Sequence, residues 1–98
     1  MAFKYRLVVQ EDKPAQIAPG TFWLIASQGI FTVYYQNGNF QPIASGKGNL
    51  SISDGEYFRT VIESESDPVS PDEGDLWLAT SQKAYYAYIG GWVPFGGG

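Results

Sequence analysis

Two stretches of this chain, GTFWLIASQGIFTVYY at residues 20–35 and GDLWLATSQKAYYAYI at residues 74–89, align without a gap. Six of the 16 paired positions are identical, whereas chance would give about one or two in a chain of this composition. The alternation of faces is also kept, because Thr32 and Tyr34 match Tyr86 and Tyr88. The alignment therefore indicates a duplicated β unit.

Each unit is predicted to be a three-stranded meander. The similarity continues beyond the aligned stretches, where the second copy is two residues shorter. The repeats lie within about residues 19–43 and 71–95. Three short strands bury little apolar surface alone, and we therefore expect the two copies to pack together or against other chains. The further matches are Gly38 with Gly91, Phe40 with Trp92, and Pro42 with Pro94.

The remaining segments complete an all-β prediction. Apolar and polar residues alternate from residue 2 to residue 10, which predicts an N-terminal strand. Asn37-Gly38 predicts a tight hairpin turn within the first unit, and Asp54-Gly55 predicts a central hairpin that joins residues 50–53 to residues 56–62. We expect a single domain over residues 1–98, built as a small antiparallel sheet, sandwich or barrel from the two meanders, the N-terminal strand and the central hairpin.

Two segments are predicted to lie outside this sheet. Residues 63–75 hold six of the ten acidic residues together with Pro68 and Pro71, which is typical of an extended, solvated connector. The carboxylates within residues 67–75 could instead ligate calcium, although they lack the spacing of an EF-hand loop. The carboxylate of Asp75 could also cap backbone N–H groups at the start of the next strand. The glycines at residues 96–98 predict a mobile tail.

Composition narrows the function. The chain has a formal net charge of −4 with six Lys and Arg residues, which argues against nucleic-acid binding. It contains no histidine and no cysteine, so a Ser-His-Asp triad, a thiol nucleophile and a His- or Cys-based zinc site are excluded. No apolar run approaches a membrane span, and the first residues do not resemble a signal peptide. We therefore expect a non-enzymatic protein without cofactor, metal or membrane partner, made in a cytoplasm.

The aromatic residues are the main candidates for binding. Trp23 and Trp77 occupy matched positions in the two units, and with Leu24 and Leu78 they are predicted to form the structural core of the repeats. Tyrosine rings on one strand face are typical of protein interfaces, and they can also stack on sugar rings. The candidate interface residues are Tyr34, Phe40, Tyr86, Tyr88 and Trp92.

The second unit resembles a known motif. It reads PDEGDLW at residues 71–77 and YAYIGGWVP at residues 86–94. This is similar to a short β motif of tailed-bacteriophage virion proteins, P-x-x-G-D-L-W followed by Y-x-Y-x-G-x-W. The resemblance covers about residues 68–96, and residues 19–43 match less well because Thr21 replaces the aspartate. The turn at residues 80–83 also departs from the Asn- or Thr-rich turn of the family.

The resemblance implies a component of a phage tail, fibre or head surface. A 98-residue chain without a long shaft or enzyme domain favours a small head decoration protein that acts through lattice or symmetric contacts. Its partners would be other virion proteins, such as the major capsid protein or tail components, and further copies of itself. The alternatives are an adaptor of the tail, fibre or baseplate and a carbohydrate-binding module.

Overall fold

In the computed structural model, the described residues (2–15, 17–34 and 39–97) form eight strands of one sheet that is nearly closed into a barrel. The strand order is β4-β3-β2-β1-β5-β6-β7-β8, and the two edge strands, β4 and β8, lie in contact. No helix that could cross a membrane occurs in these ranges. The strands are β1 (Ala2–Val9), β2 (Phe22–Ile25), β3 (Ile30–Tyr34), β4 (Phe40–Ser45), β5 (Gly55–Ser64), β6 (Leu76–Ala79), β7 (Ala84–Tyr88) and β8 (Trp92–Gly97).

The two halves of the sheet are related by a pseudo-twofold axis. In the first half β1 pairs in parallel with β2, placing Leu7 beside Phe22, and in the second half β5 pairs in parallel with β6, placing Val61 beside Leu76. Positions 54 residues apart are therefore equivalent. The halves join through an antiparallel β1–β5 ladder in which Tyr5 pairs with its own equivalent, Arg59, so that the axis passes between these two residues.

Irregular features of the backbone repeat with the same offset. The β3–β4 ladder shifts register between residues 31 and 32, and the β7–β8 ladder shifts between residues 85 and 86. Gly20 and Gly74 both have positive φ, and each N–H donates to a tyrosine carbonyl, of Tyr34 and Tyr88 respectively. Strands β4 and β8 are offset by 52, because the connection from Tyr88 to Trp92 is two residues shorter than the connection from Tyr34 to Phe40.

The barrel interior is apolar. Alternate residues of each strand point inward, and the fully buried side chains include Leu7, Val9, Leu24 and Phe31. In the second half, Val61, Leu76, Ala87 and Ile89 belong to the same cluster. Aromatic rings extend this core, since Tyr5 packs edge-on against Phe22 with ring centroids 4.8 Å apart.

A backbone contact after β4 brings the two edge strands of the sheet together. The N–H of Lys47 donates to the carbonyl of Ile89 at 3.3 Å. Gly46 lies against the same carbonyl, and a Cβ built there would approach the Ile89 oxygen to 1.7 Å. A glycine is therefore needed at position 46 for the barrel to approach closure.

The predicted all-β class is confirmed, and three details differ from expectation. Residues 50–53 form no strand, so the central hairpin is absent, and β5 pairs instead with β1 and β6. Two of the strand pairings are parallel. Gly96 and Gly97 lie in β8 rather than in a tail. The predicted Asn37-Gly38 turn and Gly98 lie outside the described residues.

The predicted acidic connector is shorter than expected. Glu63 belongs to β5 and pairs with Leu78, while Asp75 is buried at the start of β6. The Asp75 carboxylate accepts hydrogen bonds from the N–H groups of Thr60 at 3.3 Å and Asp72 at 3.0 Å. It therefore caps backbone donors, although these lie in β5 and in the connector rather than at the start of β6 as predicted, and it ties the connector to the sheet.

Candidate functional site

The outer face of each meander carries an aromatic cluster. The first aromatic cluster consists of Trp23, Tyr34 and Phe40, and the second consists of Trp77, Tyr86, Tyr88 and Trp92. Both lie on the side of the sheet opposite the barrel interior, because these residues alternate with the buried core residues along their strands. All the predicted interface residues therefore belong to these two clusters.

The first aromatic cluster is built around Phe40. Its ring contacts Trp23 edge-on at 5.0 Å between centroids and Tyr34 at 4.8 Å. Beside them Thr32 is buried, and its hydroxyl donates to the carbonyl of Trp23 at 3.1 Å. All three rings are half-buried, so each keeps part of its surface open to a partner.

The second aromatic cluster contains one more ring. Tyr86 stands at the position of Thr32, and its ring stacks on Trp77 at 4.7 Å with an interplanar angle of 25°. Trp92 contacts Trp77 at 5.6 Å and Tyr88 at 5.1 Å, both edge-on. The extra ring buries Trp77 to 8% exposure and leaves Tyr86, Tyr88 and Trp92 half-buried.

Both tryptophans anchor the chain as well as the clusters. The indole N–H of Trp23 donates to the carbonyl of Gln10 at 2.8 Å, and that of Trp77 donates to the carbonyl of Ser64 at 3.0 Å. Each bond joins the second strand of a half to the residue that ends or follows the first strand. This explains why a tryptophan stands in both copies, since no other apolar side chain offers an N–H donor.

The predicted core set is divided between the two faces. Leu24 is fully buried inside the barrel, and Leu78 is half-buried on the same face. Trp23 and Trp77 lie on the outer face and pack with the predicted interface residues. The tryptophans and the interface rings were predicted as separate sets, but on each meander they form one cluster.

Polar side chains inside and around the barrel are engaged in structural bonds. The Tyr5 hydroxyl donates to the carbonyl of Gly74, and the Arg59 guanidinium donates to the carbonyl of Glu73 at 3.1 Å. Burial raises the pKa of Tyr5 well above its ordinary value, and the negative charge of Asp75 raises it further. Tyr5 therefore stays protonated at neutral pH and acts as a fixed donor.

The acidic residues of the connector do not gather into a metal site. No group of three or more acidic side chains that could hold an ion occurs among residues 2–15, 17–34 and 39–97. The Glu73 carboxylate accepts hydrogen bonds from the hydroxyl of Ser51 and the N–H of Ile52, both at 3.0 Å. Glu73 thus holds the segment between the two halves against the connector.

A second surface feature lies at one end of the barrel. An apolar cavity of about 290 Å³ opens there, and its lining mixes aromatic and aliphatic side chains. Sequence patterning did not identify it, because its residues come from six strands. They are Phe3, Tyr5, Phe22, Val61, Leu76, Tyr85 and Phe95.

No protein-family model matches this chain, and no curated protein or solved structure matches it either.

Proposed function

We propose that this protein is a non-enzymatic structural component of a tailed-bacteriophage virion, most simply a small head decoration protein. The observation that carries the proposal is the pair of outer-face aromatic clusters. The second cluster contains Trp77, Tyr86, Tyr88 and Trp92, which are the residues through which the second unit resembles the phage motif. Half-buried aromatic rings on a rigid sheet are suited to protein contacts, because they bury a large area at small entropic cost.

The pseudo-twofold arrangement supports contacts with repeated neighbours. Each half of the barrel presents one aromatic cluster at an equivalent position, so that a single chain can meet two similar surfaces. Symmetric shells offer such repeated surfaces. The titratable side chains described above serve as structural donors and acceptors, which is consistent with a role in binding rather than in acid–base catalysis.

Quantitative mass spectrometry of purified particles tests the proposal. We expect the protein in many copies per particle of the phage that encodes it, in a fixed ratio to the major capsid protein. A handful of copies at one vertex or in the tail would favour the adaptor alternative. Absence from the particles would overturn both.

Surface variants test which residues make the contact. Replacing Tyr88 with serine is expected to weaken attachment of the purified protein to undecorated particles. The half-buried Tyr88 ring packs edge-on against Trp92 and forms part of the proposed contact surface. Phe58→Ser is the matched control, since Phe58 is 62% exposed on the outer face of β5 and lies in neither cluster. Equal attachment of both variants would exclude the second aromatic cluster as the contact.

Carbohydrate binding is the second candidate, and the stacked Trp77–Tyr86 pair beside Trp92 favours it. Partly exposed aromatic rings can stack on sugar rings as well as pack against protein. Tryptophan fluorescence titrated against a panel of polysaccharides measures this directly. An emission shift that Trp92→Ala removes and Phe40→Ala retains would support glycan binding at the second cluster, and an unshifted spectrum across the panel would reject it.

A further inference from the structure

The two ends of the barrel are closed to different extents. At the end where β1 finishes and β5 begins, residues 46–54 cross the opening. Leu50 and Ile52 of this segment pack against the core, and the Leu50 N–H donates to the carbonyl of Ala26 at 3.0 Å. We call residues 46–54 the plug segment, this end the closed end, and the opposite end the open end.

The pseudo-twofold axis allows the two ends to be compared residue by residue. Phe3 at the open end corresponds to Tyr57 at the closed end, and Tyr85 corresponds to Phe31. Phe31 is fully buried, whereas Tyr85 is 36% exposed, and Phe3 is 52% exposed where Tyr57 is partly buried. The open end therefore presents the same kind of apolar surface that the plug segment covers at the closed end.

The cavity at the open end marks the space that such a plug would fill. It measures about 290 Å³ and is lined by apolar and aromatic side chains. An apolar cavity of about 150 Å³ holds one benzene molecule, so there is room here for about two groups of that size. Two tyrosines belong to the lining, and the hydroxyl of the buried one, Tyr5, already donates to the carbonyl of Gly74.

We propose that the open end is a docking site for an extended polypeptide segment of a partner protein that carries two apolar side chains two residues apart. The plug segment is the template for this occupant, because Leu50 and Ile52 have that spacing and pack against the equivalent surface. The proposal goes beyond a virion role, since it rests on barrel geometry and holds for any partner that presents such a segment.

The side chains at the open end indicate which interactions would hold the partner segment. At the closed end the Glu73 carboxylate holds the backbone of the plug segment, but the equivalent position at the open end is Pro19, which has no carboxylate. Without this carboxylate, we expect apolar contact to supply most of the affinity at the open end. We expect binding that changes little with salt concentration, because salt screens charges and not apolar burial.

The test uses a fluorescently labelled peptide with the sequence KGNLSISDG of residues 47–55 and measures its polarisation with the intact protein. We expect saturable binding that weakens at least tenfold when serine replaces both Leu50 and Ile52 in the peptide. No saturation, or equal binding of both peptides, would overturn the proposal. Binding of the uncharged dye N-phenyl-1-naphthylamine without peptide binding would assign the cavity to small apolar molecules and would also overturn it.

Protein variants locate the peptide. Phe3→Ser should weaken binding at least fivefold, whereas Phe58→Ser, which removes a more exposed ring outside the cavity, should leave it unchanged. The peptide could instead displace the protein's own plug segment, and nuclear magnetic resonance distinguishes the two ends without any variant. Shifts at Tyr85 and Phe95 support the proposal, and shifts confined to Phe31 and Ile43 contradict it. Neither outcome depends on a virion role, so the docking site and the virion proposal fail separately.

Discussion

At the scale of single residues, the two tryptophans show how one residue type serves both packing and hydrogen bonding. Each indole N–H satisfies the carbonyl that follows or ends the first strand of its half. The rings then support the other aromatic residues of the clusters. A phenylalanine at either position would keep most of the ring contacts and lose the hydrogen bond.

We predict that Trp77→Phe lowers the free energy of unfolding by about 1–3 kcal/mol, because the partly buried Ser64 carbonyl loses the donor that the buried indole provides. Trp23→Phe is the matched variant, and its effect should be smaller because Trp23 is half-buried and water can reach the Gln10 carbonyl. Urea unfolding followed by tyrosine fluorescence and circular dichroism measures both. A larger loss for Trp23→Phe would contradict this ranking.

Tyr5 gives a prediction about pH. The unfolded chain releases the Tyr5 proton near pH 10, whereas the folded protein retains it to higher pH because the pKa of Tyr5 is raised by burial. The unfolded state therefore binds fewer protons above pH 10, and stability falls as pH rises. The contribution of Tyr5 is fully present below pH 10 and is lost through the alkaline range.

Tyr5→Phe separates this contribution from the titration of other groups. The variant should be less stable than the native protein at pH 7 by about 1 kcal/mol, since it lacks the bond to the Gly74 carbonyl. Above pH 10 the difference should narrow by up to about 1.4 kcal/mol for each pH unit. Chemical denaturation at a series of pH values from 7 to 11.5 tests this, and a constant difference would show that Tyr5 is not the group responsible.

At the scale of elements, the turn between the first two strands of each meander shows where the copies have diverged. Gly29 and Lys83 are equivalent, both have positive φ, and each N–H donates to a carbonyl four residues earlier at 2.8 Å. A Cβ built on Gly29 would lie 2.3 Å from the Lys47 carbonyl oxygen, so this turn requires glycine for space as well as conformation.

Substitutions at these two turn positions are therefore predicted to change the stability of the protein by different amounts. Gly29→Ala should lower stability by at least about 2 kcal/mol, because strain and a backbone clash act together. Lys83→Gly should leave stability unchanged or raise it by up to about 1 kcal/mol, because it removes the backbone strain of a lysine with positive φ. Thermal unfolding of the two variants measures the difference, and similar losses would contradict it.

The elements also show which parts of the fold the sequence could predict. The meander strands keep identical residues and alternating faces, and the N-terminal strand alternates clearly, so both are visible in the sequence. The equivalence of β1 and β5 is not visible, because no residue of β1 is identical to its partner 54 positions later. The hydrogen bonds of a β ladder join backbone groups. The two strands can therefore keep equivalent pairings while their side chains differ.

The absent central hairpin has a related cause. Leu50 and Ile52 alternate with serines, which predicts a strand, but the same alternation serves a segment that crosses the barrel end with two apolar side chains pointing inward. The backbone donors of this segment are used by the Glu73 carboxylate and the Ala26 carbonyl. Periodicity reports which side chains are buried and not which backbone groups are paired, so the two structures have the same pattern.

At the scale of the whole molecule, the two halves related by the pseudo-twofold axis make their main contacts with each other. The halves share the eight-residue β1–β5 ladder, and side chains from both contribute to one core. Neither half can close a barrel alone, and each would expose one side of a four-stranded sheet. The barrel therefore depends on association of the two halves more than on the chain connection between them.

This dependence predicts fragment complementation. The segments 1–53 and 54–98 should each lack a cooperative unfolding transition, because each leaves its core face exposed. Mixed in equal amounts, they should form a one-to-one complex with the near-ultraviolet circular dichroism of the intact protein, joined by the β1–β5 ladder and by the bonds from Glu73 to Ser51 and Ile52. Cleavage after Ser81 is the matched control, since it divides the β6–β7 turn within one meander and should allow poorer recovery. Cooperative folding of either half as a monomer would show that the halves have independent cores, and the shared core would then not be what holds the barrel together.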